Sequence, residues 1–216
     1  MPFSGFDPDA FAFYAELEQN QNRAWWLENK KRYDAIVREP AERLAEELED
    51  EFGPLKVFRP YKDVRFSADK KPYKDHLGLV SADSTGPAFY FQPSHEGLML
   101  AGGMYQPDRA QLTRFRELVD EPARAMAVDR LIAGITADGF ELITEDSIAT
   151  APRGYRVDHP RIALLRLTRY AVMRRYPIAE WMHSRELVER VRSDWGTVRG
   201  WNEWLAASLP SRVSPS

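Results

Sequence analysis

The chain has 216 residues, no cysteine and a formal net charge of −3. Lack of cysteine excludes thiol catalysis, disulfide frameworks and cysteine-ligated zinc, and no apolar run approaches the roughly 20 residues a membrane span needs. The length suits one domain, residues 1–216, and acidic sequence follows Met1-Pro2-Phe3-Ser4-Gly5-Phe6 with no secretory pattern, so the expected location is the cytoplasm, with no membrane partner.

In chain order, residues 1–53 form an acidic helical segment, with 13 acidic and 6 basic side chains. Asp7-Pro8 reads as an N-cap followed by proline at the first helical position. Ala10, Phe13, Tyr14 and Leu17 then recur at helical spacing. A second helix is expected from Asn22, carrying Trp25, Trp26, Asn29 and Tyr33, with Pro40 kinking or restarting it. Leu44, Leu48 and Phe52 continue the apolar stripe until Gly53-Pro54.

A mixed body follows, residues 54–209. Val57-Phe58-Arg59 and Val64-Arg65-Phe66 read as strands, and Ala88–Gln92 with Leu98–Ala101 as a hairpin. Asp108 is expected to cap a helix carrying Leu112, Phe115 and Val119. Another runs from Pro122 with Met126, Leu131, Ile132 and Ile135, ending at Gly139. Phe140–Ile148 suggests one more strand, Pro160 starts a short turn or helix, and Leu164–Tyr170 is ambiguous. Ser184 caps a long helix with Leu187, Val191, Trp195, Val198 and Leu205 on one face, before a loose tail, 210–216. Helices flanking hairpin-linked strands imply an α+β fold: a central antiparallel or mixed sheet packed by N-terminal and C-terminal helices.

Several residues then stand out together. Trp25-Trp26 and Asn29-Lys30 precede Tyr33; the run from Asp63 to Lys74 reads Asp-Val-Arg-Phe-Ser-Ala-Asp-Lys-Lys-Pro-Tyr-Lys; Gly102-Gly103-Met104-Tyr105-Gln106-Pro107 leaves the hairpin; Pro152-Arg153-Gly154-Tyr155 precedes Asp158-His159-Pro160. In this order the chain resembles an uncharacterised conserved-domain family of bacterial and fungal proteins, a domain of unknown function. The resemblance spans most of the chain and implies a shared fold, with no activity, substrate or cofactor attached.

The chemistry must therefore come from the residues. Residues 54–75 carry 7 basic and 3 acidic side chains, and residues 151–216 carry 12 basic and 6 acidic. If the Asp63–Lys74 motif begins as a strand, Asp63, Arg65 and Ser67 share the face opposite Val64 and Phe66. Pro72 holds Lys71 extended, so Asp69–Lys74 is expected to be an exposed, fixed loop. Arg65, Asp69, Lys70, Tyr73 and Lys74 would then present cations and an aromatic plate suited to an oxyanion. Gly103 and Tyr105, from the hairpin exit, and Arg153 are further ligand-binding candidates, and Arg169 is another cation able to complete the site. The alternative is an ion-pair knot of Asp63, Arg65, Asp69 and Lys70 within a non-enzymatic interaction protein. Gly102-Gly103 serves equally as a bulge and is not a P-loop.

His76, His95, His159 and His183 have no familiar ligand spacing, so neither a metal nor a cofactor is expected. His76 is the one histidine beside the motif and suits acid–base work. The tryptophans read as packing anchors. The expected partner is an anionic small molecule, bound and with processing left open. Nucleic acid is the less favoured anion because the overall charge is acidic, and nothing in the chain fixes an oligomeric state.

Overall fold

Side-chain caps set where the helices begin. The computed structural model describes residues 2–63, 70–81 and 86–211. Asp7 accepts the Asp9 amide and starts α1, Pro8–Gln19. Asn22 accepts the Trp25 amide and starts α2, Arg23–Tyr33. Pro40 does not break the chain. The backbone widens into a π-helical turn, Asp34–Arg38, and continues directly into α3, Glu39–Phe52. Proline has no N–H to return to the carbonyl four residues back, and a π-turn takes up such a mismatch without ending the helix. Gly53, at φ 77°, then terminates α3.

The strands are β1 Leu55–Val57, β2 Leu79–Ser81, β3 Ala88–Ser94, β4 Gly97–Met104, β5 Glu141–Leu142 and β6 Tyr170–Tyr176. They form a six-stranded antiparallel sheet in the order β1-β2-β3-β4-β6-β5, flanked by helices. The remaining helices are α4 Arg109–Asp120, α5 Pro122–Ala137, the single turn α6 Ile162–Leu165, a 3₁₀ turn Glu180–His183 and α7 Glu186–Ser208. The α+β expectation holds. Three details differ from the sequence reading, the first being that the strand expected at Val57-Phe58-Arg59 lies at Leu55–Val57. The strand expected over Phe140–Ile148 shrinks to two residues, Glu141–Leu142. Leu164–Tyr170 is the end of α6 followed by the first residue of β6. The strand expected at Val64-Arg65-Phe66 lies outside the described residues.

By its contacts the chain divides into two compact units, 1–82 with 90–100 and 175–194, and 83–89 with 101–174 and 195–216. In the first, α1 buries Phe13, Tyr14 and Leu17, and α3 buries Leu44 and Leu48, all at 2% exposure or less. Leu79, Phe91, Leu100 and Met182 complete that core. In the second, Phe115 of α4 stacks on Tyr170 with ring centroids 3.8 Å apart. Trp201 donates its indole N–H to the Tyr170 carbonyl at 2.9 Å. Helix α5 buries Ala125, Val128 and Ile135, whereas Met126, expected on the apolar face, is 51% exposed.

Acidic and basic segments meet inside the first unit. The Arg185 guanidinium grips both oxygens of Glu47 at 2.9 Å and also donates to the Phe3 carbonyl. Arg192 pairs with Glu51. Burial works against the Glu47 carboxylate, but Arg185 and the Phe3 amide outweigh it and hold its pKa below the usual value. A lowered carboxylate pKa stabilises the fold above the unfolded value, and that gain disappears as pH falls through the folded one. Glu47→Gln is therefore expected to cost about 1 kcal/mol at neutral pH, since Arg185 is half exposed. Urea titrations across the acid range should show the difference from wild type vanishing as the pH drops.

Candidate functional site

The end of the motif, residues 72–74, is held in a short antiparallel ribbon, while Lys70 and Lys71 before it are exposed. Residues 60–62 and 72–74 pair antiparallel: the Lys62 amide donates to the Pro72 carbonyl at 2.9 Å and the Lys74 amide to the Pro60 carbonyl at 2.8 Å. Tyr61 and Tyr73 are bridge partners, and their rings lie 5.5 Å apart. This ribbon continues into the β1–β2 pair, where Leu55 faces Ser81 and Val57 faces Leu79.

Alternation along the ribbon separates two faces. Tyr73, Leu77, Leu79, Phe91 and Pro93 are buried. Lys74, His76, Tyr90, Gln92 and Ser94 lie between the buried and exposed extremes. Gly78 belongs with this second set: a side chain there would overlap the Phe58 ring and the Tyr90 hydroxyl. Phe58, Lys74, His76, Tyr90 and Gln92 thus share one outer surface of β1, β2 and β3.

Tyr73 corrects the sequence reading. Its ring is 4% exposed and stacks on Trp26 with centroids 4.6 Å apart. It is no exposed plate for a ligand. Burial raises its hydroxyl pKa, helped by Tyr61 and opposed by Arg23. Lys70 and Lys71 are exposed, and Lys71 reaches Glu18 at 3.8 Å. Arg65 and Asp69 lie outside the described residues, and so does the expected pairing of Arg65 with either aspartate.

Lys74 is the motif cation that the ribbon holds in place. Its ammonium rests over the Phe58 ring, 4.7 Å from the centroid. Burial first, then Arg59 and Lys62, lower its pKa. Among the described residues, the charges that act on it are those of Arg59 and Lys62. The next residues supply a dyad. His76 Nδ1 and Asp75 Oδ1 are 2.6 Å apart. Burial lowers the His76 pKa despite Asp75, and Lys74 and Lys62 lower it further, so the ring is neutral at neutral pH.

The dyad owes its geometry to a bulge. Phe58 donates to Gly78 at 2.8 Å, whereas the Lys74 amide donates to Pro60. Between these bonds one residue, Arg59, faces three, Asp75, His76 and Leu77. Two extra residues on one strand bend it and re-aim side chains, and such bulges recur beside functional sites. Consecutive side chains of a regular strand point to opposite faces, so Asp75 could not otherwise reach the ring of its neighbour.

The other candidates belong to the second unit. Gly103, at φ 118°, lies against the Tyr170 carbonyl and Ala171. Its missing side chain is accounted for by close approach of β4 to β6, the strand-approach alternative. Tyr105 is 52% exposed, with the Arg169 guanidinium 4.1 Å over its ring, and Arg169 also pairs with Asp146. Arg153 is exposed in a turn closed by the Tyr155 amide on the Pro152 carbonyl at 3.0 Å. Sequence reasoning passed over Phe58, Arg59, Lys62, Tyr90 and Gln92. The basic density of residues 54–75 pointed to the two cations, but only the pairing register places them beside Lys74.

Residues 9–204 match the conserved hypothetical protein family DUF2461, and the chain belongs to it. No curated protein and no solved structure matches the chain significantly.

The two faces predict opposite mutational outcomes. Tyr73→Ala removes a buried, stacked ring and is expected to cost about 3–5 kcal/mol. Lys74→Met keeps the stem over Phe58 but removes a crowded charge, and should leave the ligand-free protein as stable as wild type or more so. Urea denaturation of both variants checks this pair of signs.

Proposed function

We propose that this protein binds an anionic ligand, of the phosphorylated class, on the outer face formed by Arg59, Lys62 and Lys74. The observation that carries this reading is the state of Lys74: half-buried, resting on Phe58 and pressed by two like charges. Crowding cations on a partly desolvated surface costs free energy in the empty protein. An anion seated among them removes that cost and gains charge-assisted hydrogen bonds. Arg65 and Lys70 add two further cations to the same motif in sequence.

The test is thermal melting with inorganic phosphate and a panel of nucleotides. Any ligand that binds the folded form alone raises the melting temperature by mass action. Wild type is expected to gain stability with at least one of these ligands, and Lys74→Met and Lys62→Met to lose that gain while melting normally without ligand. Absence of any shift in wild type across the panel would overturn the reading.

A further inference from the structure

The Asp75–His76 pair gives the cationic face a hydrogen-bond acceptor, and this bears on which anions it takes. A carboxylate only accepts hydrogen bonds, so the 2.6 Å contact fixes the proton of the neutral imidazole on Nδ1. Nε2 is then left with a lone pair. The charged groups acting on the ring are Lys62 across the ribbon, Lys74 on its own strand and Asp75. Tyr14 of α1 lies within the field of Asp75 and Tyr90, and burial raises its pKa well above the usual value, so it supplies no charge. On the β3 side, Ser94 is the backbone bridge partner of His76. The surface thus combines cations that attract an anion with one nitrogen that rejects a bare oxygen lone pair.

We propose that His76 Nε2 accepts a hydrogen bond, or the proton itself, from the bound ligand, so that the site selects a phosphate monoester or phosphate over sulfate and carboxylates. This rests on the anion-binding reading of the same face. Phosphate monoesters have a second pKa near 6, so they bring a proton to the site at neutral pH at little cost. Sulfate has none to bring. An unprotonated oxygen facing the Nε2 lone pair leaves two acceptors opposed, which costs about 1–3 kcal/mol. Whether the shared proton rests on oxygen or on nitrogen, the balance is one proton held between ligand and ring, with the Nδ1 proton staying on the bond to Asp75. In acid the ring carries its own proton, becomes a donor at both nitrogens, and the discrimination disappears.

The experiment is calorimetric titration of wild type and His76→Ala with inorganic phosphate and with sodium sulfate, at neutral pH and in mildly acid buffer. Wild type should bind phosphate about tenfold more tightly than sulfate at neutral pH. Sulfate should gain affinity in acid, taking up about one proton on binding. His76→Ala should bind both anions with similar affinity at both pH values. If the variant does not fold, ring NMR of wild type carries the test, with the His76 Nε2 resonance moving on addition of phosphate at neutral pH and unmoved by sulfate. Equal affinity of wild type for the two anions, or an Nε2 resonance indifferent to bound phosphate, overturns the inference and leaves the anion site standing. Binding of neither anion overturns the inference, and the anion reading falls with it only if the nucleotides of the panel fail as well.

Discussion

The stack of Tyr73 on Trp26 is the contact that the rest of the candidate site depends on. It closes one face of the ribbon against α2, with the Trp26 indole N–H donating to the Tyr61 hydroxyl at 3.2 Å. Once that ring is committed to the interior, alternation leaves no freedom for its neighbours. Lys74 must emerge on the other side, and β2 carries the same alternation through Leu77 and Leu79. A slip of one residue would bring Lys74 into the core and expel Tyr73, exchanging a buried ring for a buried charge. The aromatic core of the first unit thus sets the direction of the cations, although none of its rings belongs to their surface.

Arginine and lysine divide the electrostatic work. The acidic excess of the N-terminal segment is met partly by arginine: Arg32 binds Asp9 and Glu16, Arg185 binds Glu47, and Arg192 binds Glu51. Within the second unit Arg161 pairs with Asp129 and Arg156 with Asp158. These planar forks suit paired carboxylates. The C-terminal basic excess is therefore in good part an internal complement to acids and says less about outside partners than its size suggests. Lys74 differs in kind: its ammonium rests over the Phe58 ring, and Arg59 and Lys62 act on it. Unlike guanidinium, an ammonium yields its pKa to such surroundings.

Legibility from sequence followed the range of the interactions involved. The caps at Asp7, Asn22 and Asp108 were readable because each side chain bonds an amide two or three residues on. The stripe Leu187, Val191, Trp195, Val198 and Leu205 was readable because helical burial repeats locally, and all five are fully buried. Strand β6 was not. Its Tyr-Ala-Val-Met start is buried without a break, so it lacks the alternation that marks a half-exposed strand. Strand β2 is three residues long, too short for a pattern to register. Met126 misled because the buried face of α5 runs through Ala125, Val128 and Ile135 at helical spacing, and Met126 lies one residue off it. Tyr73 misled for a different reason: a tyrosine between lysines and proline reads as surface until its partner, Trp26, some forty-seven places earlier in the chain, is known.

The bulge after Lys74 is where register, burial and charge meet. On one side of this segment the pairing with β3 stays regular, with His76 opposite Ser94 and the Leu77 amide on the Pro93 carbonyl. On the other side, three residues face Arg59 alone. The regular edge keeps Leu77 and Leu79 in the core, so the surplus must be absorbed toward β1. That asymmetry turns Asp75 and His76 toward each other and sets them beside the cations Lys62 and Lys74. A strand built only to complete the sheet would gain nothing from two unpaired residues, and would lose ladder hydrogen bonds by carrying them. The distortion orients the His76 imidazole beside Lys62 and Lys74, and it is this arrangement that the proposed anion site would use.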